Sequence, residues 1–369
     1  MRPKTSLTVA VVTALAAGSV ALPGAQGRGV PGGESRTGTV EQVLVHGTSL
    51  EGNLEGDSPD RPVLVYLPPS YAADSARRYP VVYLLHGYGG RETTFTERLA
   101  RLPDSADRLD PAQGFSSAIY VMPGAFTLHK GSMYSDSVTT GNWERFVAED
   151  LVGYIDGHYR TLPTRMSRGL AGHSMGGYGA IRIGMKRPDV FASLYLMSSC
   201  CLSANRNPSP QSMAPADAIR TRQQAEDAAR MPGFGPSLNL ALAAAWSPNP
   251  ANPPLFLDLP VKDGQVRPEI VGKWAANAPL EMIEQNANNL KKYYAIAMDI
   301  GTKDTLLASN RQLHDAMGRL RIPHQYEEYD GDHTNRVRER IERNVLPFFA
   351  RYLAAPLNPT SPSPGADRR

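Results

Sequence analysis

The segment GHSMG at residues 172–176 most constrains what this chain can fold into. It follows a short apolar run and opens a stretch with helical composition, so it predicts a sharp turn from a strand into a helix. Glycines two positions either side of Ser174 would let such a turn pass close to neighbouring strands. The turn would lift the Ser174 hydroxyl clear of the backbone, which makes Ser174 the candidate nucleophile.

A second glycine-rich segment, HGYGG at residues 86–90, follows the β-rich run Val81–Leu85. This pattern indicates a buried strand that feeds a loop whose backbone N–H groups can converge on one point. Acyl-transfer chemistry needs such donors where negative charge develops on a carbonyl oxygen. We expect the N–H groups of Tyr88 and Met175 to form this oxyanion hole. A plain glycine turn after a core strand is the alternative.

A third segment supplies candidate carboxylates. The run at 293–298 reads as a strand, and the sequence DIGTKD at 299–304 follows it. One of its two aspartates should orient a catalytic imidazole and stabilise that imidazole when it takes a proton. We favour Asp304, which lies beyond the Gly301 turn. Asp299 stands at the strand end, where it could cap a turn instead.

The candidate base is His333, one of eight histidines. It follows a short alternating strand at 325–329 and a glycine turn, and a long amphipathic helix is expected from about 335 to 353. The chain order Ser174, Asp304, His333 is that of α/β-hydrolases.

The other histidines and the acids beside His333 are expected to have structural roles. His86 and His173 belong to the glycine-rich segments, and the remaining five histidines show no partner pattern. Asp330 and Asp332 lie too close to His333 in sequence to be the default acid partner, so we expect them to shape the turn.

Apolar β-rich runs alternate with helical patterns through most of the chain, which predicts an α/β fold. The first two runs, 39–46 and 62–67, read as an antiparallel pair. The later runs read as a mostly parallel twisted sheet with helices on both faces. Strands are expected at 81–85, 119–122, 168–171, 194–199, 293–298 and 325–329, with a helix at 143–159.

The chain divides into five expected regions. Residues 1–27 have the basic start, short apolar run and small residues of a signal peptide, and residues 28–38 read as a flexible leader. A catalytic domain is expected over 39–354, with a cap-like insertion at 200–289 that is partly helical between 214 and 230. Ordinary surface connections are the alternative for that insertion. The Pro/Ser-rich tail at 355–369 is expected to be disordered.

Composition excludes several functions. The formal net charge is +3, and removal of Arg2 and Lys4 with the signal peptide leaves +1. We therefore expect no nucleic-acid partner, and no membrane span. Metal-binding signatures are absent from the sequence, so no metal or other cofactor is expected. The two cysteines, Cys200 and Cys201, are adjacent; two reduced thiols are favoured over a strained vicinal disulfide.

The motifs together resemble the esterase D branch of the α/β-hydrolases, which includes feruloyl esterases and enterochelin esterase-like proteins. The resemblance runs from about residue 39 to 353. It rests on YLPP at 66–69, LLHGYGG at 84–90, GNWE at 141–144, GHSMGGYG at 172–179 and GTKD at 301–304.

This resemblance implies a serine esterase with Ser174, Asp304 and His333 as its triad, and the signal-like residues 1–27 predict that it is secreted or periplasmic. It also implies that Tyr134, Asp136 and Trp143 line the substrate cleft. Feruloyl or acetyl esters of carbohydrates and short-chain esters are the expected substrates. The alternatives are an acyltransferase of the mycolyltransferase type, a polyester depolymerase, and a non-enzymatic binding protein on a hydrolase scaffold. The oligomeric state is left open.

Overall fold

The computed structural model describes residues 37–109 and 117–353. Within these ranges a main sheet has eight strands: β1 Thr39–His46, β2 Asp60–Leu67, β3 Val81–Leu85, β4 Ile119–Pro123, β5 Arg168–His173, β6 Ser193–Met197, β7 Ala295–Gly301 and β8 Gln325–Tyr329. Their order in the sheet is β1-β2-β4-β3-β5-β6-β7-β8. β2 pairs antiparallel with both β1 and β4, and every later pairing is parallel. The predicted α/β class with a mostly parallel sheet is confirmed.

Helices connect and cover the strands of this sheet. In chain order the described α-helices are α1 Pro69–Ala73, α2 Leu102–Asp107, α3 Trp143–Arg145, α4 Leu151–His158, α5 Met175–Lys186, α6 Pro210–Asp217, α7 Arg222–Arg230, α8 Gly235–Trp246, α9 Pro268–Ala276, α10 Pro279–Leu290, α11 Leu307–Arg319, α12 Val337–Arg340 and α13 Leu346–Tyr352. Short 3₁₀ turns lie at Thr48–Leu50, Glu92–Phe95 and Arg165–Ser167.

Both faces of the sheet are buried. In β3, Val81, Tyr83 and Leu85 join the larger apolar cluster, whereas Val82 and Leu84 join the cluster on the opposite face. This alternation follows from the two-residue period of a strand. Helix α5 packs into the larger cluster, and α12 and α13 contribute side chains to the cluster on the opposite face. A parallel strand that is covered on both faces needs apolar residues at every position, which explains the run of five apolar residues in β3.

Several predicted elements differ in their extent, and the helix expected at 143–159 is divided by a π-helical turn, Phe146–Asp150. The strand expected at 293–298 is β7, which begins two residues later and runs to Gly301. The long helix expected from about 335 to 353 is divided by a π-helical turn, Ile341–Val345. Pro347 follows that turn, and because proline has no N–H to bond the preceding turn, regular α-helical pairing cannot continue there.

The segment expected to be a cap is mostly helical. Helices α6 to α9 and a short hairpin, Val261–Lys262 with Gln265–Val266, fill most of it. Helix α10 instead packs beside α5, where Asn289 Nδ2 donates to the carbonyl oxygen of Met185 at 2.9 Å. The last part of the segment thus belongs to the helical layer on the sheet.

Some expectations fall on residues that the structure does not describe. The signal peptide at 1–27, most of the leader at 28–38 and the tail at 355–369 lie outside the described ranges. Among residues 37–109 and 117–353, every helix is too short or too polar to cross a bilayer.

Candidate active site

The turn between β5 and α5 carries Ser174. Its backbone has φ 59° and ψ −115°, a conformation that costs a residue with a Cβ of order 1–3 kcal/mol. Hydrogen bonds hold the turn in place. The Ser174 N–H donates to Met197 O at 3.0 Å, and the Ser174 carbonyl oxygen accepts the N–H of Cys200 at 3.1 Å. The scaffold thus fixes a strained serine at the carboxyl end of the sheet, where strain is typical of functional residues.

Glycine is required on both sides of Ser174. A Cβ at Gly172 would lie 2.1 Å from the carbonyl oxygen of Gly176, and a Cβ at Gly176 would lie 1.8 Å from Leu85 O. Both contacts are with backbone atoms, so no side-chain adjustment could relieve them. This explains the spacing of the GHSMG segment by close packing of the turn against β3.

A continuous hydrogen-bonded chain joins Ser174, His333 and Asp304. The Ser174 hydroxyl lies 2.9 Å from His333 Nε2, and His333 Nδ1 lies 2.8 Å from Asp304 Oδ2. A neutral imidazole with its proton on Nδ1 donates to the carboxylate and accepts from the hydroxyl. The three side chains come from loops after β5, β7 and β8, which the parallel sheet brings to one edge.

The surroundings of Asp304 favour its ionised carboxylate form. It is nearly buried, and burial alone raises its pKa. Hydrogen bonds from His333 and from the N–H of Leu306, at 2.9 Å to Oδ1, outweigh burial and lower the pKa below its usual value. An ionised acid at this position can stabilise the imidazolium that forms when His333 takes a proton.

His173 holds the backbone of the histidine loop. Its Nε2–H donates to the carbonyl oxygen of His333 at 2.8 Å, and the two rings lie 4.8 Å apart. Burial, followed by the nearby His333, lowers the pKa of His173 to about 4. His173 is therefore neutral at pH 7, and its place beside Ser174 joins the elbow to the loop that carries the base.

Asp299 lies inside β7 and is buried. Its carboxylate accepts from the Tyr195 hydroxyl at 2.8 Å and from Arg340 Nε at 2.9 Å. Burial raises the pKa of Asp299 to about 6, although Arg340 and the Tyr195 hydrogen bond lower it. This residue ties the sheet to α12 and does not contact His333 in the described structure.

The acids beside His333 shape their turn. Asp332 Oδ1 accepts the N–H groups of Thr334 and Asn335 at 2.8 and 2.9 Å. Asp330 forms an exposed ion pair with Lys303 at 2.6 Å. These contacts hold the loop that presents the imidazole.

The glycine-rich loop after β3 lies against the nucleophile. A Cβ at Gly87 would be 3.2 Å from the Cβ of Ser174. A Cβ at Gly131 would be 2.7 Å from Met175 Sδ and 2.9 Å from Tyr88 Cδ2, so Tyr88 and Met175 pack on one small residue. The Met175 N–H is at the first turn of α5, where backbone donors lack helical partners. The oxyanion role of these two N–H groups remains a prediction with a supporting arrangement.

His86 anchors the same loop to the polypeptide after β4. Its Nε2 accepts the N–H of Ala125 at 2.8 Å, and the His86 carbonyl oxygen accepts the Tyr134 hydroxyl at 3.2 Å. Burial lowers the pKa of His86 to about 4, so its Nε2 is an unprotonated acceptor at pH 7.

The three residues expected in the cleft are placed differently from one another. Tyr134 and Trp143 are fully buried, and Trp143 Nε1 donates to Thr140 O at 2.8 Å. Neither ring reaches solvent, so both support the site from within the core. Asp136 is exposed in a short strand pair, where partial burial and then Glu144 raise its pKa.

The adjacent cysteines are free thiols beside the elbow. Their sulfur atoms lie 2.7 Å apart, in a thiol–thiol hydrogen bond. This hydrogen bond and burial raise the pKa of Cys200 well above its usual value. A protonated thiol is a poor nucleophile, so the raised pKa disfavours Cys200 in that role.

Sequence reasoning missed Phe234, an exposed aromatic residue that stacks on Tyr88 with ring centroids 5.9 Å apart. The sequence pattern that could have indicated Phe234 is MPGFG at 231–235, in which two glycines flank an aromatic residue. No cluster of three or more His, Cys, Asp or Glu side chains suited to a metal ion occurs in the part of the chain that the structure describes.

Comparison with sequence families gives one match over most of the chain. The model described as "Putative esterase" matches residues 58–337. Esterase Rv1288 of Mycobacterium tuberculosis is 35% identical over 131 residues, which are 36% of this chain and 27% of that protein. An endo-1,4-beta-xylanase/feruloyl esterase of Xylanibacter ruminicola is 30% identical over 137 residues, 36% of this chain and 19% of the relative. The matches therefore span about a quarter or less of these relatives.

Comparison of structures shows a shared fold. A ferulic acid esterase superposes with a TM-score of 0.62 at 22% identity, over 86% of this chain and 99% of that chain. An S-formylglutathione hydrolase from Agrobacterium tumefaciens gives 0.58 at 17% identity, over 87% and 97%. At these identities the likeness concerns the arrangement of the sheet and helices.

Proposed function

The chain belongs to the esterase family, and we propose that it is a carboxylic-ester hydrolase that cleaves esters by two-step acyl transfer on Ser174. The observation that carries this proposal is the unbroken hydrogen-bonded chain from the Ser174 hydroxyl through His333 to Asp304. A buried carboxylate, an oriented imidazole and a strained serine form the arrangement that activates a weak nucleophile.

In the first step, Ser174 Oγ attacks the carbonyl carbon of the ester while His333 Nε2 takes the hydroxyl proton. The tetrahedral intermediate carries a negative oxygen, for which the N–H groups of Tyr88 and Met175 are the proposed donors. Loss of one such donor costs about 3–4 kcal/mol of transition-state stabilisation. The C–O bond to the alcohol then breaks, and the alcohol leaves with the proton from His333.

In the second step, water attacks the acyl-enzyme. His333 takes a proton from the water, the Ser174–acyl bond breaks, and the proton returns to Ser174 as the free acid leaves. Asp304 keeps the Nδ1 proton on the imidazole throughout, because its lowered pKa leaves it ionised at neutral pH.

For the substrate, we propose aryl or acetyl esters of carbohydrates, or short-chain esters. Support comes from the relatives: one structural neighbour is named a ferulic acid esterase, and the Xylanibacter relative is named a xylanase/feruloyl esterase. We also propose export, secreted or periplasmic, on the composition of residues 1–27. Intact mass of the protein recovered from its natural host checks export, because an unshortened chain would contradict it.

A panel of p-nitrophenyl, acetyl-sugar and feruloyl-sugar esters tests the chemistry. Wild-type protein should release free acid, and Ser174→Ala should lower kcat by roughly 10⁴-fold or more while the circular dichroism spectrum is unchanged. Ser199→Ala is the matched control, since that hydroxyl lies near Gly177 rather than His333. Retained turnover in Ser174→Ala would refute the proposal, and an acylated acceptor in place of free acid would make the chain a transferase.

A further inference from the structure

The loop between α7 and α8 exposes apolar side chains beside the proposed catalytic site. This segment, residues 231–235 with the sequence MPGFG, is exposed at all five positions. The side chains of Met231 and Phe234 are 56% and 59% exposed. Two large apolar side chains exposed within five residues mark a surface that is suited to contact an apolar ligand.

Phe234 is joined to the glycine-rich loop by aromatic stacking. Its ring lies 5.9 Å from the ring of Tyr88, with 27° between the two planes. Tyr88 is partly buried and packs on the larger core cluster, so it gives Phe234 a fixed support. The stacked pair thus offers a broad apolar surface next to the backbone that would bind the oxyanion.

Lys130 fastens the two loops together. Its ammonium donates to the carbonyl oxygens of Met231 at 3.1 Å and Gly233 at 2.8 Å, and its own carbonyl oxygen accepts the N–H of Gly89 at 3.0 Å. The ammonium also lies 5.8 Å from the centre of the Tyr88 ring, so Lys130 contacts both the loop that carries Phe234 and the ring on which Phe234 stacks.

Glycine sets the shape of the loop around Phe234. Gly233 and Gly235 have φ of 77° and 48°, in the region that disfavours residues with a Cβ. Apart from the adjoining residues of the chain, no atom lies within 4 Å of the position that a Cβ would occupy at either glycine. The loop on both sides of Phe234 is thus not covered by other parts of the described structure.

The glycine-rich loop links Phe234 to the nucleophile. Phe234 stacks on Tyr88, and a Cβ at Gly87, the residue before Tyr88, would lie 3.2 Å from the Cβ of Ser174. Met175 is fully buried and takes no part in the exposed surface. The proposed oxyanion donor, the Tyr88 N–H, and the ring on which Phe234 stacks thus belong to the same residue.

We propose that Phe234 and Tyr88 form the binding surface for an apolar acyl group, such as an aryl or medium-chain acyl group, and so determine acyl specificity. This inference rests on the proposed ester hydrolysis at Ser174. Phe234 binds the acyl group directly, and Lys130 is a positioning residue that holds the loop carrying Phe234.

Hydrolysis of p-nitrophenyl acetate, butanoate, octanoate and cinnamate by wild type and Phe234→Ala tests this role, because the alcohol is the same throughout. We expect kcat/KM to fall about tenfold for octanoate and cinnamate and less than about twofold for acetate. Phe234→Leu should restore part of the loss for octanoate. Lys130→Met should act in the same direction with a smaller effect, through KM. Leu44→Ala, an exposed apolar residue on β1, is the control that should change nothing.

An equal loss for all four esters, or no loss, would overturn the inference. So would a change in preference among alcohols at constant acyl group, because the surface would then bind the alcohol. These results differ from failure of the proposed function, in which wild-type protein would hydrolyse none of the esters, acetate included.

Discussion

Two histidine–carboxylate pairs in this molecule have different surroundings. His333 and Asp304 lie 2.8 Å apart in a hydrogen bond, and the histidine side chain is 27% exposed. His129 and Glu55 lie 3.4 Å apart, and both side chains are buried. Within residues 37–109 and 117–353, neither nitrogen of His129 and neither carboxylate oxygen of Glu55 has a hydrogen-bond partner. A histidine–carboxyl pair is thus a candidate catalytic pair at the sheet edge and has no expected catalytic role in the interior.

Solvation explains the difference. Burial lowers the pKa of His129 to about 3, and burial together with Asp57 raises the pKa of Glu55 well above its usual value. Burial thus favours the neutral form of both groups. Asp304 is also nearly buried, but hydrogen bonds to His333 and Leu306 keep it ionised. Hydrogen bonds to the charged form, more than proximity of the two residues, decide whether such a pair can move a proton.

The largest expected effect separates the two histidines. His333→Gln should lower kcat for p-nitrophenyl acetate by roughly 10⁴- to 10⁶-fold, because Ser174 loses its base. His129→Gln should leave kcat per folded molecule unchanged, since His129 contacts no residue of the site. Steady-state kinetics, with the folded fraction measured by circular dichroism, checks both. A comparable loss in His129→Gln would remove the distinction between the pairs.

The two carboxylates should differ almost as much. Asp304→Asn should lower kcat by about 10⁴-fold, because an amide neither selects the useful tautomer nor stabilises the imidazolium. Glu55→Gln should retain wild-type kcat, because the Glu55 carboxyl group is not hydrogen-bonded to Ser174, His333 or Asp304 in the described part of the chain. Kinetics on both variants tests this, and near-wild-type turnover by Asp304→Asn would contradict the assignment of the acid.

The smallest expected effect concerns stability and pH. Glu55 has a raised pKa in the folded state, so its contribution to stability is present below its unfolded value of 4.5 and is lost as pH rises through the folded pKa. Glu55→Gln removes that loss. As pH rises above about 4.5, the Tm of Glu55→Gln should therefore rise by a few degrees relative to the Tm of wild type. A difference in Tm that is constant from pH 4 to 8 would show that Glu55 is ionised in the fold.

Local patterns in the sequence were sufficient for the elements and for the candidate triad. All eight strands of the sheet were predicted, because short apolar β-rich runs bounded by turn signals are typical of buried strands. Ser174, Asp304 and His333 were each singled out by position after a strand, and parallel strands bring such positions to one edge. The choice of Asp304 over Asp299 depended on which residue lies beyond the strand, and Asp299 proved to be paired with Arg340.

Features that depend on contacts between distant parts of the chain could not be predicted from the sequence. Glu55 and His129 lie far apart in sequence with no shared motif, and only the folding of the chain makes them neighbours. Tyr134 and Trp143 were assigned to the cleft by resemblance, but their burial is decided by packing against the core. Phe234 acquires its place from Tyr88 and Lys130, which lie in loops after different strands.

The central claim is that Ser174 is the activated nucleophile. Intact-mass measurement after treatment with a fluorophosphonate, followed by peptide mapping, tests it most directly. The account predicts one covalent adduct on wild-type protein, located at Ser174, with labelling lost in Ser174→Ala and slowed by orders of magnitude in His333→Gln. An adduct at another residue, or unchanged labelling of His333→Gln, would contradict it.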